Sequence, residues 1–138
     1  MRETDANQKD VLSLALVGDA VFSLFVRARL INQFDCKSGL LSKKSVEFVS
    51  AKAQSKMYHA IESRLTEQEL AIARRARNCL NHSKAKNASI IDYKKATALE
   101  AVIGYLYLTE QTERLEKLQE LCYRTIENCW LKTNLTTE

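Results

Sequence analysis

The chain has 138 residues and a net charge of +4, with 46% apolar and 28% charged residues. A chain of this size buries roughly two thirds of the surface that its unfolded form exposes, so it does not need a disulfide or a metal to fold. Proline is missing and glycine occurs three times, which disfavours β-rich folds and predicts a single all-α domain over residues 1–138, with its core at about 9–129.

The cysteines and the N-terminus disfavour two further classes. The four cysteines form no C-x-x-C pair, and neither histidine lies near one at a ligand spacing, so reduced thiols in a cytoplasmic protein are favoured over a zinc site. The polar start MRETDANQKD is unlike a signal peptide. The first apolar stretch is shorter than the about 20 residues that cross a bilayer, so we expect no membrane association.

The first half of the chain predicts three helices. Residues 9–30 are apolar on most sides and predict one long helix. Residues 31–42 predict a connection with a short helix, for which Ser38 is the expected N-cap. Residues 43–64 predict a second long helix, because apolar side chains recur at spacings of three and four from Val46 to Ile61.

The second half begins with a capping box. Thr66 and Glu69 have the required spacing and predict a helix over 67–79. Beyond it the pattern predicts a basic loop, a strongly apolar helix, an amphipathic helix and a frayed tail, over residues 80–90, 91–109, 112–130 and 131–138 respectively.

Positive charge is concentrated in the middle of the chain. Residues 1–42 have no net charge, residues 43–95 carry +7, and residues 96–138 carry −3. A basic middle segment is typical of a surface that binds a polyanion, although a solvated face of lysines and arginines gives the same pattern.

Two apolar helices each contain a single internal charge. In VLSLALVGDAVFSLFV it is Asp19, and in ATALEAVIGYLYL it is Glu100. Each acid lies near a glycine, Gly18 and Gly104 respectively. Glycine within a helix costs about 1 kcal/mol relative to alanine, so a compensating close approach of two backbones is predicted at these positions.

A carboxylate in an apolar setting is costly unless it is paired or binds a metal. Neither Asp19 nor Glu100 has a lysine or arginine one turn away on its own helix. Two interpretations follow: pairing with a basic residue of another helix, such as Arg27 or Arg29, or a divalent cation shared between the two acids. Mg²⁺ suits the second, because it accepts one or two carboxylates together with waters and phosphate oxygens. With the basic segment, this favours a phosphodiester hydrolase that acts on nucleic acid.

At these residues the chain resembles a known family. LALVGDAVFSLFVR (14–27) resembles the signature helix of the ribonuclease III catalytic domain, and ALEAVIGYLYL (98–108) resembles its second acidic helix. KKSVEFVSAKAQS (43–55) and the run RARN (75–78) are similar to the compact variant called Mini-ribonuclease III, which lacks a double-stranded-RNA-binding domain. The resemblance covers about residues 9–129.

This resemblance implies the all-α ribonuclease III fold and a homodimer that cleaves double-stranded RNA with Mg²⁺, for which Mn²⁺ can substitute. Products with 5′-phosphate and 3′-hydroxyl ends are implied, as is a role in ribosome biogenesis through maturation of large-subunit (23S) precursor ribosomal RNA. Asp19 and Glu100 match the family's catalytic and metal-binding acids. Further family acids are replaced by Leu12, Ala15 and Thr97, so we expect one well-held Mg²⁺ per subunit.

The RNA-binding surface is predicted from basic and small polar side chains, because double-stranded RNA is bound through phosphates and 2′-hydroxyls. The candidates are Lys52, Gln54, Arg74, Arg75, Arg77, Asn78, Lys84, Lys86, Lys94 and Lys95.

Three other functions fit parts of the pattern. A catalytically inactive member of the same fold would bind structured RNA or ribosomal particles without needing the acids. A structural helical module would pair its acids with buried arginines. A helical nucleotide pyrophosphohydrolase would need clustered acids at E-x-x-E spacing or a His-Asp pair, and is the least favoured.

Overall fold

The computed structural model describes residues 1–79 and 89–136, with side chains described through residue 132. All the regular structure in these ranges is helical, which confirms the predicted fold class. The helices are α1 (Glu3–Asn7), α2 (Val11–Gln33), α3 (Ser38–Val49), α4 (Ala51–Ile61), α5 (Glu67–Arg77), α6 (Ile90–Leu108) and α7 (Thr112–Thr136), with a 3₁₀ turn at Glu62–Arg64.

Helix α6 lies at the centre of the described helices. Ten of its residues are buried, and they lie on all sides of the helix. A helix that is apolar all round must be covered on every side, and α2, α4 and α5 pack around α6 for this reason. Ser89 caps its N-terminus by accepting a hydrogen bond from the amide of Asp92. The core therefore holds fixed the helix that carries Glu100.

The predicted capping box is present at the start of α5. The Thr66 hydroxyl accepts from the Glu69 amide, and the Glu69 carboxylate accepts from the Thr66 amide. Glu69 is 2% exposed, and Arg114 of α7 donates to both of its carboxylate oxygens at 2.9 and 2.8 Å. These contacts, with burial opposing them, lower the pKa of Glu69. One buried acid thus caps α5 and joins it to α7.

The prediction of one helix over 43–64 is wrong. The helix is interrupted at Ser50, whose backbone is extended and whose hydroxyl accepts a hydrogen bond from the Ala53 amide. Ser38 is the first residue of α3 and not its cap. The apolar spacing in the sequence runs across this interruption. In the structure, however, Ala53 and Ile61 are buried whereas Val46 is 58% exposed.

Helix α7 continues to Thr136, six residues beyond the helix 112–130 that the sequence predicts. Trp130 lies just before these six residues and packs edge-on against Phe34, with ring centroids 5.9 Å apart. The Lys44 ammonium lies 4.4 and 4.5 Å from the centroids of those two rings. This aromatic contact holds the end of α7 against the rest of the molecule.

Helix α2 has one covered side and one open side. Phe22, Val26 and Leu30 are buried, whereas Leu16 and Leu24 are 74% and 70% exposed. By length and composition alone, α2 could cross a membrane, a criterion that core helices also meet. At 23 residues it is longer than the apolar stretch that the sequence suggested.

Candidate active site

The close backbone approach predicted from the two glycines is present where α2 crosses α6. A Cβ atom added at Gly18 would lie 1.7 Å from the carbonyl oxygen of Glu100. One added at Gly104 would lie 1.9 Å from the carbonyl oxygen of Leu14. No real Cβ contact is so short, so both positions require glycine. The crossing places Asp19, the residue after Gly18, beside Glu100.

The two acids meet on the open side of this crossing. Asp19 is exposed, so the expectation of an enclosed apolar setting is wrong for it, whereas Glu100 is half-buried. Burial, the Asp19 charge and a side-chain hydrogen bond with Asp19 raise the pKa of Glu100 to about 8. At neutral pH Glu100 therefore keeps its proton. A divalent cation could replace that proton.

The interpretation that arginines neutralise these acids is not supported. Arg29 forms a two-pronged ion pair with Glu120 of α7, with one N–O distance of 2.7 Å. Within residues 1–79 and 89–132, no salt bridge involves Asp19 or Glu100. The acid pair therefore stays without a protein cation in the described part of the chain.

A cleft of about 390 Å³ opens over the acid pair. Its walls include Ser13 and Leu16 from α2, and Tyr93 and Thr97 from α6. The Thr97 hydroxyl donates to the backbone carbonyl of Tyr93 at 2.9 Å. Sequence analysis did not select Ser13 or Tyr93. The available clue was the spacing of Tyr93, Thr97 and Glu100, which places them on one helical face.

These residues fit one hard cation better than two. The acids are oxygen donors, which Mg²⁺ and Mn²⁺ prefer, and the raised pKa of Glu100 is consistent with a site that is short of positive charge. The described residues contain no group of three or more histidine, cysteine or acidic side chains that could hold a metal. Further ligands would have to be waters or substrate oxygens.

Several of the predicted RNA-binding residues lie on the surface. Lys52, Arg74 and Asn78 are exposed, and Lys94 and Lys95 are partly exposed on the same helix as Glu100. Lys84 and Lys86 lie outside the described residues.

Three other candidates have different surroundings. Gln54 is 2% exposed and shares the buried face of α4 with Met57 and Tyr58, so the structure places it in the core and not on the surface. Arg75 donates to the backbone carbonyls of Asn7 and Lys9, at 3.0 and 3.1 Å, and so holds the segment before α2. Arg77 approaches Glu62 at 3.5 Å but stays 41% exposed.

Comparisons with known proteins agree on one family. A family model described as the ribonuclease III domain matches residues 12–111. The Mini-ribonuclease 3 of Streptococcus pneumoniae is 42% identical, covering 89% of this chain and 98% of that protein. That of Clostridium tetani is 43% identical, covering 89% and 82%. The crystal structure of protein FN1578 from Fusobacterium nucleatum is similar at a TM-score of 0.79 and 33% identity, over 87% of this chain and 96% of that one.

Proposed function

This chain belongs to the ribonuclease III family of endoribonucleases, and we propose that it cleaves double-stranded RNA in a Mg²⁺-dependent reaction at Asp19 and Glu100. The family acts on double-stranded RNA and uses a divalent metal. The observation that carries the proposal is the acid pair itself: a backbone crossing fixes it, and burial together with the Asp19 charge raises the pKa of Glu100 to about 8.

Each residue has a defined role in this reaction. Asp19 and Glu100 would hold Mg²⁺, and Glu100 would release its proton from the carboxyl group as the metal binds. When bound, Mg²⁺ supplies charge neutralisation at the scissile phosphate and lowers the pKa of a water. A water would bond to phosphorus and give up a proton, the bond from phosphorus to the 3′-oxygen would break, and that oxygen would take up a proton, which gives 5′-phosphate and 3′-hydroxyl ends. The chain's own contribution is to hold the two carboxylates at one fixed separation.

Basic side chains near the site would bind the flanking phosphates. Lys94 and Lys95 precede Glu100 on α6 by six and five residues, which is about one and a half turns. Lys52 on α4 and Arg74 on α5 are also exposed. Phosphate contacts of this kind make RNA binding fall steeply with salt. Arg77, Asn78, Lys84 and Lys86 remain proposed contacts, and Mn²⁺ is proposed as a substitute for Mg²⁺.

We also propose that the active unit is a homodimer. Leu16, Leu24 and Ile31 are each at least 65% exposed and lie on one side of α2. Beside them is a groove of about 790 Å³ between α2, α6 and α7. Gln119 lines this groove, and its buried amide nitrogen has no hydrogen-bond partner among the described residues. A second copy on this face would cover apolar surface that a monomer leaves in water.

The dimer proposal is tested by the mass of the particle in solution. Leu24→Glu should convert a dimer to a monomer in sedimentation or light scattering, while Leu40→Glu on α3, where Leu40 is 49% exposed, should leave it dimeric. A wild type that is monomeric at every concentration would contradict the proposal.

In the cell we propose a cytoplasmic enzyme of ribosome biogenesis that matures precursor 23S ribosomal RNA. Relatives at about 40% identity bear the name Mini-ribonuclease 3, and a similar activity on this RNA is inferred for this chain. Accumulation of the precursor after depletion of the protein would support this role.

Cleavage of a long double-stranded RNA with Mg²⁺ tests the reaction. The wild type should produce cuts with 5′-phosphate ends, while Asp19→Asn should bind the RNA with unchanged affinity and cut at least about 10³-fold more slowly, because a metal contributes several kcal/mol to transition-state stabilisation. If the wild type binds RNA without cutting it, the second candidate is favoured: an inactive member of the fold that binds structured RNA or ribosomal particles.

A further inference from the structure

The α6 wall of the acid cleft carries a phenol with no role in the reaction described above. Tyr93, Thr97 and Glu100 follow one another at helical spacing and line the same cleft. Tyr93 is half-buried and lies seven residues before Glu100, which is about 10.5 Å along the helix axis. An RNA strand with its scissile phosphate at the acids would therefore pass Tyr93 with an adjoining part of its backbone.

Two other polar groups of the cleft, Asp10 and Thr97, already have hydrogen bonds to the backbone. Asp10 accepts a hydrogen bond from the Leu12 amide and caps α2. The Thr97 hydroxyl donates to the carbonyl of Tyr93. This bond uses the Thr97 proton and fixes the Tyr93 backbone, so the phenol projects from a held position. The Thr97 proton is committed to that carbonyl, whereas a tyrosine hydroxyl can donate one to a ligand, as can the Ser13 hydroxyl on the α2 side of the cleft.

The chemistry of the cleft favours a neutral donor at this position. A lysine in the same cleft would add a positive charge that competes with the metal for the two acids. A phenol donates a hydrogen bond without adding charge, and a tyrosine loses little conformational entropy because it has two χ angles. Phosphate oxygens and ribose hydroxyls both accept from tyrosine.

We propose that Tyr93 is a substrate-contacting residue whose hydroxyl donates a hydrogen bond to an RNA backbone oxygen beside the scissile phosphate. The inference rests on the proposed function, since it needs RNA in the acid cleft. It explains why a polar ring is placed on the same helical face as Glu100. Such a contact would fix the position of the RNA strand in the cleft without neutralising its charge.

The test compares the wild type with Tyr93→Phe on a short synthetic RNA duplex. Tyr93→Phe should lower kcat/KM by about 10- to 100-fold, because a hydrogen bond to a charged acceptor contributes about 1.5–3 kcal/mol. Tm should be unchanged, because the ring is kept. Tyr105→Phe makes the same change at a buried hydroxyl on α6 that has no hydrogen-bond partner among the described residues, and it should cleave like the wild type.

Salt and single-atom changes in the RNA separate this role from a structural one. The dependence of log K on log salt should be the same for Tyr93→Phe and wild type, since a neutral donor releases no counterions, whereas Lys52→Ala should reduce the slope by about one. Duplexes with one methylphosphonate or one 2′-deoxyribose near the cut should slow the wild type wherever a contact is lost, and at the position that Tyr93 contacts the modification should cause no further loss in Tyr93→Phe. A methylphosphonate effect identifies a phosphate contact, and a deoxyribose effect identifies a 2′-hydroxyl contact.

Two results would overturn the inference while leaving the proposed function intact. One is full activity of Tyr93→Phe alongside an inactive Asp19→Asn. The other is a loss of activity in Tyr93→Phe that adds to the effect of every RNA backbone modification, at whatever position the modification lies. That result would assign Tyr93 a packing role. A wild type that cuts no RNA would instead overturn the proposed function itself.

Discussion

Two carboxylates that face α2 have opposite surroundings. Glu120 receives hydrogen bonds from Arg29 and Arg124, which lower its pKa to about 2. Glu100 faces Asp19, and burial together with that second acid raises its pKa to about 8. The first acid is neutralised by the fold and joins α7 to α2. The second is left without a protein cation among the described residues, which is the condition that a metal site requires.

Replacing each acid by its amide should give the largest contrast. Glu100→Gln should reduce RNA cleavage by about 10³-fold or more, because it removes a metal ligand, and should leave the fold intact. Glu120→Gln should cleave RNA normally and unfold at a lower temperature. The measurements are single-turnover cleavage rates and thermal unfolding curves. Equal loss of activity in both variants would remove the distinction between the two acids.

The glycine crossing should be the next most sensitive feature. Gly18→Ala places a Cβ on the Glu100 carbonyl and should lower the free energy of unfolding by about 3 kcal/mol or more, at or beyond the usual range for overpacking. Gly39→Ala is the control, since a Cβ there meets nothing within 4 Å; it should be neutral or stabilise by up to about 1 kcal/mol. Urea unfolding measures both. A Gly18→Ala variant of normal stability would contradict the close contact.

Glu100 and Glu120 should also make stability depend on pH in opposite directions. Without metal, the raised pKa of Glu100 means that the folded state keeps a proton that the unfolded chain loses above about 4.5. Stability from this group is complete below that pH and is lost as the pH rises to about 8. Mg²⁺ must displace the proton, so its affinity should rise with pH up to about 8. Calorimetric titration of Mg²⁺ at several pH values measures this. A pH-independent affinity would show that Glu100 is not a ligand.

At low pH the change in stability should come mainly from Glu120, the acid that is paired with Arg29. The folded pKa of Glu120 is about 2 against an ordinary 4.5, so its stabilising effect is complete above about pH 4.5 and is lost between that pH and 2. Because the side chains of the pair are 35% and 30% exposed, we expect a contribution of about 1 kcal/mol. Thermal unfolding of wild type and Glu120→Gln should converge as the pH falls through this range, and a constant difference would argue against the ion pair.

The smallest expected contrast separates two adjacent arginines. Arg75→Ala should lower the free energy of unfolding by about 1 kcal/mol, because its guanidinium bonds two backbone carbonyls, and should leave the salt dependence of RNA binding unchanged. Arg74→Ala should keep the stability and reduce that salt slope by about one. Filter binding at several salt concentrations decides between them. The reverse assignment would show that Arg75 releases its carbonyls to bind RNA.

The acid pair and the helix crossing could be predicted because both are local anomalies in the sequence. One charge in an otherwise apolar helix needs an explanation, and so does a glycine in a helix. Two such helices with the same pair of anomalies predict each other as partners. The capping box of α5 was predictable for a similar reason, since Thr66 and Glu69 contact each other across three residues.

Features that depend on distant segments could not be predicted in this way. Arg75 donates to the carbonyls of Asn7 and Lys9, which lie more than 60 positions before it in the chain. The break at Ser50 was hidden because apolar spacing continues through it. Gln54 carried a usable clue, since it precedes Met57 and Tyr58 by three and four residues and shares their buried face.

The contact of Gly18 with the Glu100 carbonyl has a consequence for how this protein can change over evolution. Main-chain atoms, which are the same in every amino acid, set the spacing of the two acids at this crossing. Side chains elsewhere in the core can therefore be exchanged without altering that spacing, as long as the two glycines remain. Substitutions in the surrounding helices should therefore preserve RNA cleavage even where they lower the stability of the fold.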